Sequence, residues 1–281
     1  MMNTSPLKWV GGKHKILKSI TPYINEPTTF VEPFVGSATV SLNVSANNYV
    51  LNDLNPDLIN FYRHIIKDDD RYITACEPYF KDVTEKMYYE LRDEFNSLSS
   101  TDFKRAVLFL FLNKFAFNGV CRYNNKGFFN VPFSKKEKVS FPIENIKKFV
   151  YYFSNRKITL YNTTFDNMIL FQDLKARDTV YFDPPYLKSA DFKTGFTKYV
   201  KEGFSFEEHM KIKNLSVKLR ENGVNCLISN HDTEETRELY KEADSIISIP
   251  ISRNIAAKKE SRKQIKEILV IYGKTLRLHF D

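Results

Sequence analysis

Thr179-Val180-Tyr181-Phe182-Asp183-Pro184-Pro185-Tyr186 is the stretch on which the fold turns. Its first four residues are apolar or β-branched, as a strand buried on both faces of a parallel sheet requires. The next four end that strand abruptly. Two consecutive prolines fix φ and hold the preceding residue extended, so the Asp183 side chain and the Pro184 carbonyl become rigid acceptors beside an aromatic face. Such a cradle fits a planar aromatic amine, whose nitrogen is a poor nucleophile because its lone pair delocalises into the ring. Two acceptors gripping its hydrogens favour a pyramidal nitrogen and stabilise the positive charge that develops as a bond forms. Asp183 need only stay ionised, so no His or Cys base is required, and Tyr186 would stack on the base. The other reading of these residues is a tight proline turn that covers a strand end.

Working outward, Thr29 to Phe34 predicts a short strand, followed by the turn Val35-Gly36-Ser37-Ala38 and a helix through about Val44. Tyr49-Val50-Leu51 predicts a second strand ending at Asn52-Asp53, and Asn55 is placed to cap a helix that has Pro56 at its first position. Residues 57–148 lose this alternation. They read as an inserted, mainly helical domain, with Lys104-Arg105 opening an apolar helix through Leu112. Asn118-Gly119 and Asn124-Asn125-Lys126-Gly127 bracket Val120–Tyr123 and Phe128–Val131 as a β-hairpin. Strands return at Ile158–Tyr161 and Thr179–Phe182. Ser205 and Glu208 form a capping box for a helix to about Asn222, which Gly223 closes before a strand over Val224–Ser229. A last strand covers Ile268–Tyr272. The chain is therefore an α/β protein, with residues 1–56 and 149–281 forming one domain and 57–148 the other.

Open α/β sheets bind ligands at the C-terminal ends of their strands, and three such ends carry unusual residues: Phe34-Val35-Gly36, Asn52-Asp53 and Asp183 to Tyr186. They are expected to converge on one crevice. A glycine turn followed 17 residues later by an acid ending the next strand brings backbone close to a nucleoside and a carboxylate to its ribose hydroxyls. A structural glycine turn with a solvated aspartate is the alternative.

Composition bounds the rest. The 281 residues are 42% hydrophobic and 27% charged, with only 9 Gly and 11 Pro, which excludes a disordered or collagen-like chain. The longest apolar run, Ala106 to Leu112, is far short of the roughly 20 residues of a membrane span, and no signal-peptide stretch opens the sequence. An intracellular protein without membrane contact is expected. Three scattered cysteines and five scattered histidines lack metal-ligand spacing, so no metal chemistry is expected. Forty-two Lys and Arg against 34 Asp and Glu leave a net charge of +8, which suits a polyanion as well as many ordinary basic proteins.

Seven segments carry a resemblance: Leu7-Lys8-Trp9-Val10-Gly11-Gly12-Lys13, Val31-Glu32-Pro33-Phe34-Val35-Gly36, Asn52-Asp53, Phe117 to Asn124, Phe129-Asn130-Val131-Pro132-Phe133, Asp183 to Tyr186, and Leu227-Ile228-Ser229-Asn230-His231-Asp232-Thr233. In this order, and over nearly the whole chain, they resemble the Dam family of DNA adenine methyltransferases. The resemblance implies a Rossmann-like, S-adenosylmethionine-dependent methyltransferase sheet with an inserted helical DNA-recognition domain carrying a hairpin. It implies methyl transfer to the exocyclic N6 amino group of an adenine flipped out of double-stranded DNA, commonly within GATC, in DNA adenine methylation or restriction-modification. A cytoplasmic enzyme, at the nucleoid through its DNA and without a required protein partner, is expected.

Carried over by position, the resemblance puts Trp9, Lys13, Phe34, Gly36, Asp53 and Asp183 on the cofactor, and Asp183, Pro184 and Tyr186 at the reaction. It places Lys8, Phe117, Asn118, Val120, Arg122 and Pro132 on the bases, with Arg122 donating twice to a guanine, Val120 touching a thymine methyl and Phe117 wedged beside the target pair. Read without the resemblance, these residues could equally be a hairpin core. Lys135, Lys136 and Lys138, with Arg253, Lys258, Lys259, Arg262 and Lys263, are candidate phosphate grips or a solvated face. Ala38 stands where the family often has a second glycine, and Lys135 where some members have arginine, which keeps the charge but loses a bidentate clamp. His231 is expected to be structural. An RNA or protein-glutamine methyltransferase shares the cradle but not the inserted domain; a DNA-binding protein without catalysis would not need Asp183 and Tyr186. A dehydrogenase lacks its GxGxxG.

Overall fold

The computed structural model of the chain describes residues 2–136, 138–187, 204–250 and 266–273. In chain order its elements are α1 Leu17–Ile20, β1 Thr29–Glu32, β2 Asn48–Asn52, α2 Pro56–Lys67, α3 Asp69–Cys76, α4 Glu85–Ser97, α5 Phe103–Phe115, α6 Ile143–Phe153, β3 Lys157–Tyr161, β4 Thr179–Phe182, α7 Phe206–Glu221, β5 Asn225–His231, α8 Glu234–Leu239, β6 Ser245–Pro250 and β7 Lys266–Tyr272. The chain forms two compact units: one of Met1–His14, Val35–Asn43 and Asn52–Thr163, the other of Lys15–Phe34, Val44–Leu51 and Thr164–Asp281.

The second unit holds six strands of a seven-stranded sheet in the order β2-β1-β4-β5-β7-β6. β1 is parallel to β2 on one side and to β4 on the other, β4 is parallel to β5, and β7 enters antiparallel between β5 and β6. Strand order therefore reverses between β1 and β4, and the C-terminal ends of those two strands flank the switch point at which an open α/β sheet forms its ligand crevice. All four residues of β4 are buried, in keeping with their unbroken apolar sequence. At the opposite end, buried Asp178 accepts from the Thr29 and Lys175 amides at 2.8 and 3.0 Å, tying the starts of β1 and β4 together. The capping box is formed: Ser205 Oγ accepts from the Glu208 amide and Glu208 Oε2 from the Ser205 amide. β6 and α8 have no counterpart in the sequence reading. A six-residue helix is too short to show a 3.6-residue period, and all but one residue of edge strand β6 is half-buried or exposed.

In the first unit α5 is buried at every position from Arg105 to Phe115, so it has no polar face and forms the centre against which α2, α3 and α4 pack. Buried tyrosines stitch the layers: Tyr72 donates to the Ala106 carbonyl and Tyr88 to the Val131 carbonyl, both at 2.9 Å. Tyr62 of α2 stacks on Phe149 of α6 with 5.2 Å between centroids. α2 starts as its sequence requires, with Asn55 Oδ1 accepting from the Asp57 and Leu58 amides and Pro56 at the first helical position.

One local expectation is corrected and another is shortened. The helix expected through Val44 is a single 3-10 turn, Ser41–Asn43, because Gly36 and Ala38 both adopt left-handed φ values, 45° and 55°, which an α-helix cannot include. The expected hairpin is present but short and irregular: Tyr123 bridges Phe129 with the Asn124 amide on the Phe128 carbonyl at 2.9 Å and the Asn130 amide on the Arg122 carbonyl at 3.1 Å, and Ala116 bridges Phe133 further on. Pro132 has no amide hydrogen to donate, and the left-handed Asn118 and Gly119 turn the chain out of extended geometry. The return itself is ordered by the Asn124 side chain, which accepts from the Lys126 and Phe128 amides.

Candidate functional site

In the second unit, Asp183 to Tyr186 leave the end of β4 next to the switch point. Asp183 and Tyr186 are half-buried, Pro184 is buried and Pro185 exposed. The Tyr186 hydroxyl donates to Glu267 Oε2 at 2.7 Å, and the Tyr186 ring stands edge-on to His231 with 4.6 Å between centroids. Glu267 and His231 are cross-strand partners on β7 and β5, so both supports of the ring come from one rung of the sheet. Burial, followed by the nearby charge of Asp183, holds the Tyr186 hydroxyl far above the ordinary phenol range, and the same two causes act on buried Tyr181. Both phenols therefore stay neutral. Asn230 Oδ1 accepts from the Leu187 and His231 amides, which fixes the segment after the prolines to β5. Phe34, beyond β1, stacks on Phe165 at 5.3 Å and meets Phe204 edge-on at 5.5 Å.

In the first unit the structure brings Trp9, Gly36 and Asp53 together. A Cβ built on Gly36 would lie 2.8 Å from Trp9 Nε1 and 2.9 Å from Cδ1, so the indole edge rests directly on the glycine backbone. The Gly36 amide donates to Asp53 Oδ2 at 3.0 Å, and the Asn55 amide donates to Oδ1 at 2.9 Å. The Gly36 carbonyl accepts from Tyr62 at 2.6 Å. The Asp53 carboxyl titrates above its ordinary range because burial disfavours its charge more than the amides of Asn55, Gly36 and Leu54 favour it. Its two oxygens offer about four lone-pair directions, so the carboxylate keeps acceptor capacity beyond these amides. Lys13 is not a solvated lysine: it is 5% exposed and donates to the Gly11 carbonyl at 2.8 Å. Ala38 is fully buried and keeps the left-handed φ that a glycine would favour there.

The same unit carries the positions expected to meet bases. Phe117 is 55% exposed, its amide bonded to the Pro132 carbonyl at 2.9 Å; Asn118, Arg122 and Pro132 are exposed and Val120 half-buried. Arg122 Nε donates to Asn130 Oδ1 at 2.8 Å, which orients the guanidinium from the opposite limb of the turn. Lys8 is clamped through its backbone by Asn113, and its ammonium donates to the Lys114 carbonyl at 3.3 Å. Lys8 is lowered by burial and by Lys136, while buried Lys114 is pushed down to about 8 by burial and by Lys8. Lys135, Lys136 and Lys138 are exposed. Arg253, Lys258, Lys259, Arg262 and Lys263 lie outside the described residues.

Sequence reasoning missed three side chains that hold the candidate ones. Glu267 carries the Tyr186 hydroxyl; its signal was a charge opening an otherwise apolar strand. Asp57 and Tyr123 form the second case. Asp57, 1% exposed, receives Arg105 Nε at 2.5 Å and Nη2 at 3.1 Å, together with the Tyr123 hydroxyl at 2.7 Å. Nothing local marks that contact, since its partners lie 48 and 66 positions away.

The family described as D12 class N6 adenine-specific DNA methyltransferase matches residues 9–255. The DNA adenine methylase of Haemophilus influenzae is 36% identical over 272 residues, covering 95% of this chain and 93% of the relative. That of Escherichia coli K12 is 36% identical over 275 residues, covering 96% and 95%. That of Vibrio cholerae serotype O1 is 34% identical over 269 residues, covering 95% of each.

Proposed function

Because the chain belongs to the D12 class of N6 adenine-specific DNA methyltransferases, we propose that it methylates an adenine flipped out of duplex DNA, within GATC, using S-adenosylmethionine. The observation that carries this reading is the Asp183-Pro184-Pro185-Tyr186 segment at the end of buried β4, with its aromatic ring held by a hydroxyl bond to Glu267 and a perpendicular contact with His231. Asp183 and the Pro184 carbonyl accept the hydrogens of the adenine amino group, hold its nitrogen pyramidal and stabilise the positive charge that grows as the N–C bond forms. Tyr186 supplies the stacking face. The ammonium product is acidic enough to lose its proton without a dedicated base.

The residues present fit the cofactor: Asp53 retains acceptor capacity for a diol, and the bare backbone of Gly36 allows close approach beside an indole. S-adenosylmethionine supplies the electrophilic methyl group. Trp9, Lys13, Phe34, Gly36, Asp53 and Asp183 hold it in this reading. Residues 57–148 form the recognition domain and residues 1–56 and 149–281 the catalytic one. Arg122 reads a guanine by two hydrogen bonds, Val120 packs on a thymine methyl, Phe117 wedges beside the target pair, and Lys8, Asn118 and Pro132 complete the base contacts. Lys135 and Lys136 grip phosphates. No helix among the described residues is long and apolar enough to cross a membrane, and the site of action in this reading is the cytoplasmic DNA.

Two measurements test the proposal. DNA from expressing cells, digested with nucleases that distinguish methylated from unmethylated GATC, shows protection if the target is right and ordinary cleavage if it is wrong. Asp183→Ala abolishes methyl transfer but leaves duplex binding in place. Since one preorganised electrostatic group contributes about 10²–10³ in rate, retention of more than about a tenth of turnover removes Asp183 from the reaction.

A further inference from the structure

We infer that Tyr123 is a positioning residue for sequence discrimination: by anchoring its hydroxyl on buried Asp57, it fixes the register in which neighbouring Arg122 faces the DNA. The inference rests on the reading of Arg122 as a base reader. Arg122 sits on an exposed limb of a short return, paired by two isolated bridges and a few backbone hydrogen bonds, among them Asn124 N–H to the Phe128 carbonyl at 2.9 Å. In extended backbone successive side chains point to opposite faces, so a shift of one residue would bury Arg122 and expose its neighbour. Those few bonds lie within the return itself, and the Tyr123 side chain adds an anchor outside it.

Tyr123 is at one of the two bridges, opposite Phe129, and its ring meets the buried Phe129 ring edge-on at 5.8 Å. Its hydroxyl reaches Asp57 Oδ2 at 2.7 Å. Asp57 cannot follow a moving tyrosine: it lies in the first turn of α2 and is gripped by two nitrogens of Arg105. Arg105 Nη1 in turn donates to the Phe95 and Leu98 carbonyls at 2.7 and 2.8 Å. An O–H donated to a buried carboxylate is among the stronger neutral-to-charged hydrogen bonds, and it is directional. Arg122 faces the other way, with Asn130 holding its Nε and the Asn130 amide bonded to the Arg122 carbonyl at 3.1 Å. One residue thus looks inward to a rigid carboxylate while the next looks outward to solvent.

Tyr123→Phe removes the hydroxyl and leaves the ring and the Arg105–Asp57 pair. The measurement is kcat/KM on a cognate duplex and on duplexes altered at each position in turn, for wild type, Tyr123→Phe, Arg122→Ala and the double variant. The preference ratio is independent of how much enzyme is folded, so a merely structural loss does not move it. Tyr123→Phe is expected to lower the preference at the guanine read by Arg122 about fivefold or more, without exceeding the loss caused by Arg122→Ala itself. The double variant is expected to discriminate no worse than Arg122→Ala alone, because the tyrosine acts through the arginine. If Arg122→Ala loses discrimination but Tyr123→Phe keeps it, or slows every duplex alike, the positioning role is overturned and the base-reader reading stands. If Arg122→Ala itself keeps every preference ratio, the base-reader reading falls and the positioning role with it.

Discussion

Gly36→Ala tests the closest contact of the candidate cofactor site. Its new methyl would lie 2.8 Å from Trp9 Nε1 and 2.9 Å from Cδ1, where carbon and aromatic atoms cannot coexist. Either the indole swings away or the turn opens. A φ of 45° also asks an L-residue to occupy the left-handed region, at a cost of about 1–2 kcal/mol. Against this, replacing glycine reduces the entropy of the unfolded chain, an offset of about 0.4–1 kcal/mol. Ala38, two positions on, already tolerates a φ of 55°, so backbone strain alone is bearable, and Trp9 is only half-buried and free to move outward. The expected stability loss is therefore small, about 1–2 kcal/mol, or a Tm lower by about 2–4 °C per kcal/mol. Cofactor affinity should fall further, by about tenfold or more, equivalent to about 1.4 kcal/mol. Trp9 is the chain's single tryptophan, so intrinsic fluorescence reports on this contact directly. Gly36→Ala should shift its emission to the red, and calorimetric titration with S-adenosylmethionine should show the weaker binding. Unchanged emission, unchanged Tm and unchanged affinity together would refute the contact.

Three further outcomes follow from charge and burial. Asp57→Ala leaves Arg105 buried without its counter-charge and should cost about 3–5 kcal/mol in urea unfolding, far more than a surface pair; a loss below 1 kcal/mol would mean that solvent reaches the guanidinium. Lys114 is protonated at pH 7, but its folded pKa of about 8 lies below the ordinary lysine value of 10.5, so between those values the unfolded chain binds more protons and wild-type stability should rise with pH; Lys114→Met should be more stable at pH 7 and lack that rise in denaturant titrations at pH 7 and 10. Asp53 binds a diol only when ionised, and its carboxyl is raised, so cofactor affinity should decline on acidification at a higher pH than an ordinary aspartate would give. Asp53→Asn should bind weakly without that pH dependence, and identical profiles for the two proteins would return Asp53 to a structural role.

What could be read from the residues alone was what neighbouring residues decide. The unbroken apolar run ahead of two prolines marks β4 at its observed limits, Asn55-Pro56 marks the start of α2, and Ser205 with Glu208 marks that of α7. Each rests on φ restriction or on a hydrogen bond spanning three residues or fewer, so the sequence window contains the whole interaction. The choice of Asp53 and Gly36 as one pair was also legible, because a strand end and its facing turn fall at a fixed spacing in this fold. Tertiary structure alone decided the supports. Glu267 reaches Tyr186 across 81 positions, Tyr123 reaches Asp57 across 66, and Trp9 lies on Gly36 without any local signal. It also converted an expected helix into a 3-10 turn and cut an expected hairpin to a short, irregular one. A buried carboxylate or hydroxyl must find a partner or be excluded from the core, but which partner is available depends on the packing of elements distant in sequence, and no local pattern encodes that.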